Sequence, residues 1–426
     1  MTATVPARPY HDVDISSAAF WRLPFEQRDS SFAQLRREAP VSWHPPMEVP
    51  GLPPEVHGEP GFWALVRARE IAFASENHEL FSSDSHRYWG VSFRPRDPKP
   101  APTFLEMDPP EHKRYRRIMS GAFTPRAVRR LSEKIEQRAE EIVERVIGAG
   151  EIDFVREVAS KLPMLTVADM IGVPGSLAEE FAEAGDKAMG ANDPAIAGDA
   201  DPQQFFQDQL VILREIGLEL IRERRSNPRD DLATALALAD FDGRHLTDDE
   251  IESVMLLLSV AGNDTTKQTT SHTVVQLWRN PDQKAWLTED FEGRIDRSIE
   301  EFVRHASPVI EFARTATQDV EIAGQVIPAG DKVVLFYASA NRDDAEFEDP
   351  DRFDLTRPPH PHTGFGGGGV HYCLGNHLGR AQLKALFRQL LTKLPNMEVG
   401  EPEPLVSEFI HGIRRLPVRI PLGVLA

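Results

Sequence analysis

The chain holds one cysteine, Cys373, and places it just after an unusual run, Gly364-Phe365-Gly366-Gly367-Gly368-Gly369-Val370-His371-Tyr372-Cys373. Five glycines in six positions give a backbone that can approach something flat and bulky. A helix is predicted to open at the cysteine, where free N–H groups and the positive helix end favour a thiolate. A lone cysteine is most often a small buried hydrophobe, but that reading leaves the glycines unexplained.

Three chemistries compete for this loop. A phosphate loop needs Gly-Lys-Ser/Thr or a glycine turn opening a βαβ unit, and neither is present. A zinc site would draw on His360, His362, His371, Cys373 and His377, which have no standard ligand spacing. The third is axial thiolate ligation of haem iron, with the glycines giving the porphyrin room.

Two other segments bear on the choice. Ala261-Gly262-Asn263-Asp264-Thr265-Thr266 interrupts the apolar stripe of a long helix with small and polar residues, a mark of distorted helices. The bland alternative is a solvated face whose threonines bond back to the preceding turn. Glu301 and Arg304 are an ordinary i, i+3 helix pair taken alone, and Pro350-Asp351-Arg352-Phe353 follows far downstream.

Several elements must position these residues. Thr247-Asp248-Asp249-Glu250 is a capping box, and the apolar spacing after it predicts a helix ending at Asn280-Pro281, about 32 residues or roughly 48 Å long. Further helices are expected over 110–148 with a new start at Thr124-Pro125, over 151–172, 204–225, 294–305 and 374–394. Strands are expected at 62–67, 312–316, 320–322 and 333–336, with a turn at 328–330, and short strands after 396. Residues 1–60 are proline-rich and read as a surface wrap, 185–202 as a mobile connection, and 341–372 as irregular. The fold class is mainly α with small β-sheets, in one large domain over 1–426.

Composition excludes other classes. The 426 residues carry 48 Lys+Arg against 67 Asp+Glu, a net charge of −19, which argues against a nucleic-acid binder. One cysteine rules out a disulfide framework and fits a reducing cytoplasm. The first twenty residues lack the apolar core of a signal peptide, and no apolar run is long enough for a membrane anchor. A cytoplasmic protein, monomeric, is the expectation.

Together and in this order, the three segments resemble the cytochrome P450 family of haem-thiolate monooxygenases, over nearly the whole chain from Pro109-Pro110-Glu111-His112 onwards. The resemblance implies the P450 fold and a haem b (iron protoporphyrin IX) cofactor. It makes Cys373 the proximal iron ligand and Asp264 and Thr265 an acid–alcohol pair for proton delivery during oxygen activation. Glu301, Arg304 and Arg352 match a structural triad behind the haem. His112, Arg116, Arg314 and His371 are implied to pair with the haem propionates. In the usual signature a phenylalanine stands seven residues before the cysteine; here Gly366 does, and Phe365 lies one further back. Some actinobacterial members that oxidise sterols or branched isoprenoid lipids share this longer loop.

The resemblance also implies O2 as co-substrate and a lipophilic substrate, of sterol, fatty or isoprenoid type, in a pocket of Trp89, Val91, Phe93, Leu257, Val260, Ala261, Val309, Ile310, Phe409 and Ile410. Glu311, so close to this set, is unexplained. Electrons would come from a separate ferredoxin or flavodoxin with an NAD(P)H-dependent reductase. Lys113, Arg114, Arg116, Arg117, Arg126, Arg129 and Arg130 form a local basic cluster suited to such a partner. Two alternatives stay open: a biosynthetic oxidase acting on a macrolide, terpene or aromatic scaffold by epoxidation or C–C coupling, and a non-enzymatic haem- or metal-binding protein.

Overall fold

A computed structural model describes residues 8–49, 58–94, 102–191, 193–241 and 243–421. Its longer helices, in chain order, are α1 (Phe25–Glu38), α2 (Ala68–Glu76), α3 (Glu111–Ser120), α4 (Pro125–Val146), α5 (Lys161–Ile171) and α6 (Ala178–Met189), then α7 (Pro202–Ser226), α8 (Asp248–Arg279), α9 (Pro281–Glu289), α10 (Phe291–Ala306) and α11 (Asn376–Lys393). The strands are β1 (Val41–His44), β2 (Phe62–Leu65), β3 (Phe81–Ser82), β4 (Gly150–Asp153), β5 (Glu311–Ala316), β6 (Val320–Ile322), β7 (Gln325–Ile327), β8 (Lys332–Phe336), β9 (Glu398–Val399), β10 (Glu403–Pro404), β11 (Ile413–Arg415) and β12 (Pro417–Ile420).

The capping box forms as the sequence predicts. Glu250 N–H donates to Thr247 Oγ1 at 3.2 Å, and Thr247 N–H donates to Glu250 Oε2 at 2.7 Å. The helix that follows, α8, runs 32 residues and crosses the molecule. Thr124 caps α4 by accepting from Ala127 N–H, with Pro125 in the first turn.

Three segments differ from the sequence expectation. Residues 151–153 are not helical but part of β4, which pairs antiparallel with β12 more than 260 residues away. A long-range partner overrides local propensity there. Residues 185–189 belong to α6 rather than to a mobile connection. Gly185 sits where α6 crosses α8, and a Cβ there would overlap Ser259 Oγ. The proline-rich beginning contains α1 and β1, and the rest of that segment lies partly outside the described residues.

A five-stranded sheet, ordered β1-β2-β8-β5-β3, separates two smaller cores. One holds Trp21, Phe32, Phe62, Phe93 and Phe336; the other holds Trp43, Trp63, Phe81 and Leu335. The largest core is helical and gathers buried side chains from α4, α5, α7, α8, α10 and α11. Among the described residues no helix is long and apolar enough to cross a membrane.

Candidate active site

The middle of α8 sorts its residues by face. Leu257, Ala261 and Thr265 fall at i, i+4 and i+8, and with Val260 they stay accessible while Leu258, Ser259, Asn263, Asp264 and Thr266 are buried. Thr265 Oγ1 donates back to Ala261 carbonyl oxygen at 3.0 Å, the local threonine bond of the bland reading. Asp264 points elsewhere. Its Oδ1 lies 2.6 Å from Lys267 Nζ, and its Oδ2 is buried without a hydrogen-bond partner.

The start of α11 meets this same stretch of α8. A Cβ on Gly379 would lie 3.8 Å from Thr266 Oγ1, and Cys373 is six residues before Gly379. Cys373 N–H donates to Phe365 carbonyl oxygen at 2.9 Å, which closes the glycine loop beneath the sulfur. Burial pushes the Cys373 thiol up; the N–H groups of Gly375 and Asn376 and the charges of Arg116 and Arg380 offset this only in part. A cation at the sulfur would reverse that balance.

The glycines have a second purpose that their composition did not reveal. A Cβ on Gly367 or Gly369 would collide with Ser75, so the loop docks against α2. Gly366, Gly368 and Gly369 have φ of +96°, +99° and +70°. Gly366 alone is open, with nothing closer than 4.0 Å to a Cβ. Phe365, one position earlier than the usual signature, lies under the Arg380 guanidinium at 4.2 Å from the ring centroid.

A cluster of two arginines and two imidazoles adjoins the loop. His112 and Arg116 come from α3, Arg314 from β5 and His371 from the loop. Both ring nitrogens of His112 and of His371 are buried without partners. Burial first, then the charge of Arg116, lowers His112 to about 4. Burial and Arg314 hold His371 well below its ordinary range. Orphaned imidazoles beside two arginines are a donor set that lacks an anion, and two carboxylates at one edge satisfy it. The residues therefore fit the propionates of a haem.

The structural pair Glu301–Arg304 is buried and bidentate, at 2.7 and 2.8 Å. Arg304 also donates to the carbonyl oxygens of Asn341 and Pro350, at 2.7 and 2.8 Å. Its expected third member is corrected. The Arg352 side chain is exposed, and only its carbonyl oxygen takes part, accepting from Arg304 at 3.3 Å and Arg357 at 3.2 Å. Arg357 Nε stands 3.5 Å from Glu301 Oε2 instead. A turn after Phe353 brings Arg357 back to the triad, which residue spacing alone does not show.

The expected pocket residues divide. Leu257, Val260, Ala261, Val309, Phe409, Trp89 and Val91 are partly accessible. Phe93, Ile310 and Ile410 are buried at 1%, 3% and 1% exposure, and the first two belong to the aromatic core on the sheet's other side. Phe312 was missed. It is partly accessible and meets Phe409 edge-on at 5.3 Å. Glu311 points away from it: Glu311 pairs across the sheet with Phe336, on the core side, where burial raises its carboxyl well above the usual range.

The histidines considered for zinc do not converge. His360 pairs with Glu346 at 3.0 Å, His362 with Glu300 at 3.1 Å, and His377 is exposed. Among the described residues no group of three or more His, Cys, Asp or Glu could hold a metal ion. On the basic face, Lys113, Arg117, Arg126, Arg129 and Arg130 are exposed; Arg130 pairs with Asp230 at 3.7 Å and Arg116 is turned inwards, donating to Tyr372 carbonyl oxygen at 2.5 Å.

The sequence profile described as "Cytochrome P450" matches residues 201–395. A methyl-branched lipid omega-hydroxylase of Mycobacterium tuberculosis is 40% identical over 423 residues, 97% of this chain and 96% of the relative. A steroid C26-monooxygenase of Mycolicibacterium smegmatis is 35% identical over 404 residues, 93% of this chain and 90% of the relative. A Mycobacterium marinum cytochrome P450 solved in complex with pseudoionone superposes with a TM-score of 0.92 at 44% identity, covering 98% of this chain and 100% of that one.

Proposed function

The chain belongs to the cytochrome P450 family and is a monooxygenase, and from that membership we propose that it hydroxylates an aliphatic C–H bond of a branched-chain lipid or a steroid side chain. The overall reaction takes RH, O2, NAD(P)H and a proton to ROH, water and NAD(P)+. The observation that carries the reading is the accessible stripe Leu257–Ala261–Thr265, apolar until it ends on a hydroxyl.

When bound through Cys373, a thiolate-ligated haem supplies the reductive activation of dioxygen. The chain's own residues do the rest. His112, His371, Arg116 and Arg314 hold the carboxylate edge of the cofactor. Leu257, Val260, Ala261, Phe312 and Phe409 exclude water and hold an apolar chain by area burial. Thr265 offers a hydroxyl that can hand on a proton once its bond to Ala261 is exchanged, and Asp264 is the neighbouring acid. The exposed cations Lys113, Arg117, Arg126 and Arg129 suit an acidic ferredoxin or a flavodoxin as electron donor, raising its association rate at low salt.

The test is a spectral titration of the ferric holoenzyme with isopalmitic acid and with a steroid bearing an aliphatic side chain. A low-to-high-spin shift with either, followed by a hydroxylated product in a ferredoxin-supported assay, is the expected result. No shift with any branched lipid or steroid, but one with a macrolide or aromatic scaffold, would overturn the substrate class. A reduced CO complex lacking the red-shifted thiolate band would remove Cys373 as ligand.

A further inference from the structure

The Asp264–Lys267 pair extends into an ionic cluster that joins α8 to α6. Ser259, Asn263 and Lys267 are spaced four residues apart on α8 and form a single stripe against α6. Ser259 Oγ donates to Phe181 carbonyl oxygen at 3.2 Å. Asn263 Nδ2 donates to Asp186 Oδ1 at 2.7 Å, and Lys267 Nζ lies 3.1 Å from the same oxygen. Lys267 Nζ then reaches back one turn to Asp264 Oδ1 at 2.6 Å. The ammonium keeps 10% of its side-chain surface exposed and Asp264 only 4%.

The charges fix what this cluster can do. A lysine this deep would shed its proton unless carboxylates held it. Burial lowers it, but Asp186 and Asp264 more than compensate and leave Lys267 raised. Asp186 is raised by burial and by the Asp264 charge, against the pull of Lys267. Two acids thus share one base, and removing the base leaves the buried Asp264 carboxylate and the partly exposed Asp186 carboxylate without a shared counter-charge. Successive residues on a helix point 100° apart. Asp264, turned towards Lys267, therefore does not share the direction of Thr265, whose hydroxyl faces Ala261 and the apolar stripe.

We propose that Lys267 is a positioning residue that fixes the Asp264 carboxylate and links it, through Asp186, to α6. The seat of α6 on α8 places Asp186 within reach of Lys267 and so holds Asp264 on the ionic side. The Gly185–Ser259 crossing allows the close seat that brings Asp186 within reach. This inference rests on Asp264 being the acid of the reaction.

The test uses the holoenzyme with ferredoxin, its reductase and isopalmitic acid, and reads product formed per NADH consumed. Lys267→Met is expected to lower that ratio by about tenfold with a matching rise in peroxide, since proton delivery by a placed group contributes factors of that order or more. Lys267→Arg, which keeps the charge, is expected to restore most of it. Should Lys267→Met fail to fold, Asp186→Asn serves in its place: it keeps an acceptor for Asn263 but loosens Lys267. It should lower the same ratio, shift its pH profile, and raise deuterium exchange over 178–189. A wild-type ratio and pH profile in Lys267→Met or in Asp186→Asn, while Asp264→Asn loses the ratio, overturns the positioning role. A wild-type ratio in Asp264→Asn itself overturns the assignment of the acid, and the inference with it.

Discussion

The imidazoles of His112 and His371 lie 4.4 Å apart, and none of their four ring nitrogens has a hydrogen-bond partner. One residue comes from a helix and the other from a loop more than 250 positions later. Burying two unpartnered rings against each other, beside Arg116 and Arg314, costs free energy that nothing in the protein returns. The cost makes sense as preparation for an anion.

It follows that Arg314→Met should weaken haem retention more than His371→Phe. The guanidinium carries a permanent charge, whereas the ring must first gain a proton or donate as a neutral N–H. A charge-assisted hydrogen bond is worth about 1.5–3 kcal/mol, so haem loss should quicken by roughly tenfold to a hundredfold in Arg314→Met. Haem transfer to excess apomyoglobin measures it. Equal rates in the variants and the parent would mean that the cluster does not hold the cofactor's carboxylates.

The second prediction separates two arginines that the sequence does not distinguish. Arg357 faces Glu301 inside the triad and is largely buried, while the Arg352 side chain is exposed. Arg357→Ala should lower holoprotein stability by about 1–3 kcal/mol, because Glu301 keeps Arg304 but loses a second cation. Arg352→Ala should stay within about 0.5 kcal/mol, since its carbonyl remains in place. Urea unfolding followed by tryptophan fluorescence decides; the reverse order would restore Arg352 to the triad.

This pair also shows what was legible in the sequence and what was not. Features set by local rules were readable: the Thr247 capping box, the Thr124-Pro125 start and the Glu301–Arg304 spacing. Features set by chain return were not. Arg357 reaches Glu301 only because the chain turns after Phe353. Residues 151–153 are a strand only because β12 comes back to pair with them. The glycine run was read as room for a flat group, but the requirement at Gly367 and Gly369 is the approach of Ser75 on α2. Lys267 carried no signal at all, since a lysine three residues after an aspartate on a helix is usually a surface pair.

The third prediction concerns the pocket wall. Phe93 is 1% exposed among Trp21, Phe62 and Phe336, so Phe93→Ala should cost about 3–5 kcal/mol of stability and leave lipid affinity nearly unchanged in whatever folds. Phe312→Ala removes a partly accessible ring that meets Phe409, and should weaken the isopalmitic acid spin shift with a smaller stability loss. Urea unfolding and spectral titration of both variants test this. An unchanged dissociation constant in Phe312→Ala would place the lipid elsewhere.

The last prediction is a pH dependence of stability from imidazoles that play no part in the site. Burial lowers His272 to about 4, with Arg342 adding to the effect and the bond to His411 carbonyl oxygen opposing it. Burial lowers His44 to about 3, and holds His305 and His411 well below the ordinary range. In the unfolded chain each titrates near about 6.5. Below that pH the unfolded state binds protons that the folded state refuses, so stability falls as pH drops from about 6.5 towards 4 and is level above about 7. For His272 alone the difference between pH 7.5 and pH 5 is about 2 kcal/mol. His272→Gln can keep a donor for His411 carbonyl oxygen, now 3.2 Å away, while removing the titration. The variant should therefore match the parent at pH 7.5 to within its packing cost, and should lose about 2 kcal/mol less on going to pH 5. Parallel urea unfolding curves at the two pH values measure the slope. An unchanged slope would show that His272 accepts its proton in the folded protein, and that the acid sensitivity of the fold lies in other groups.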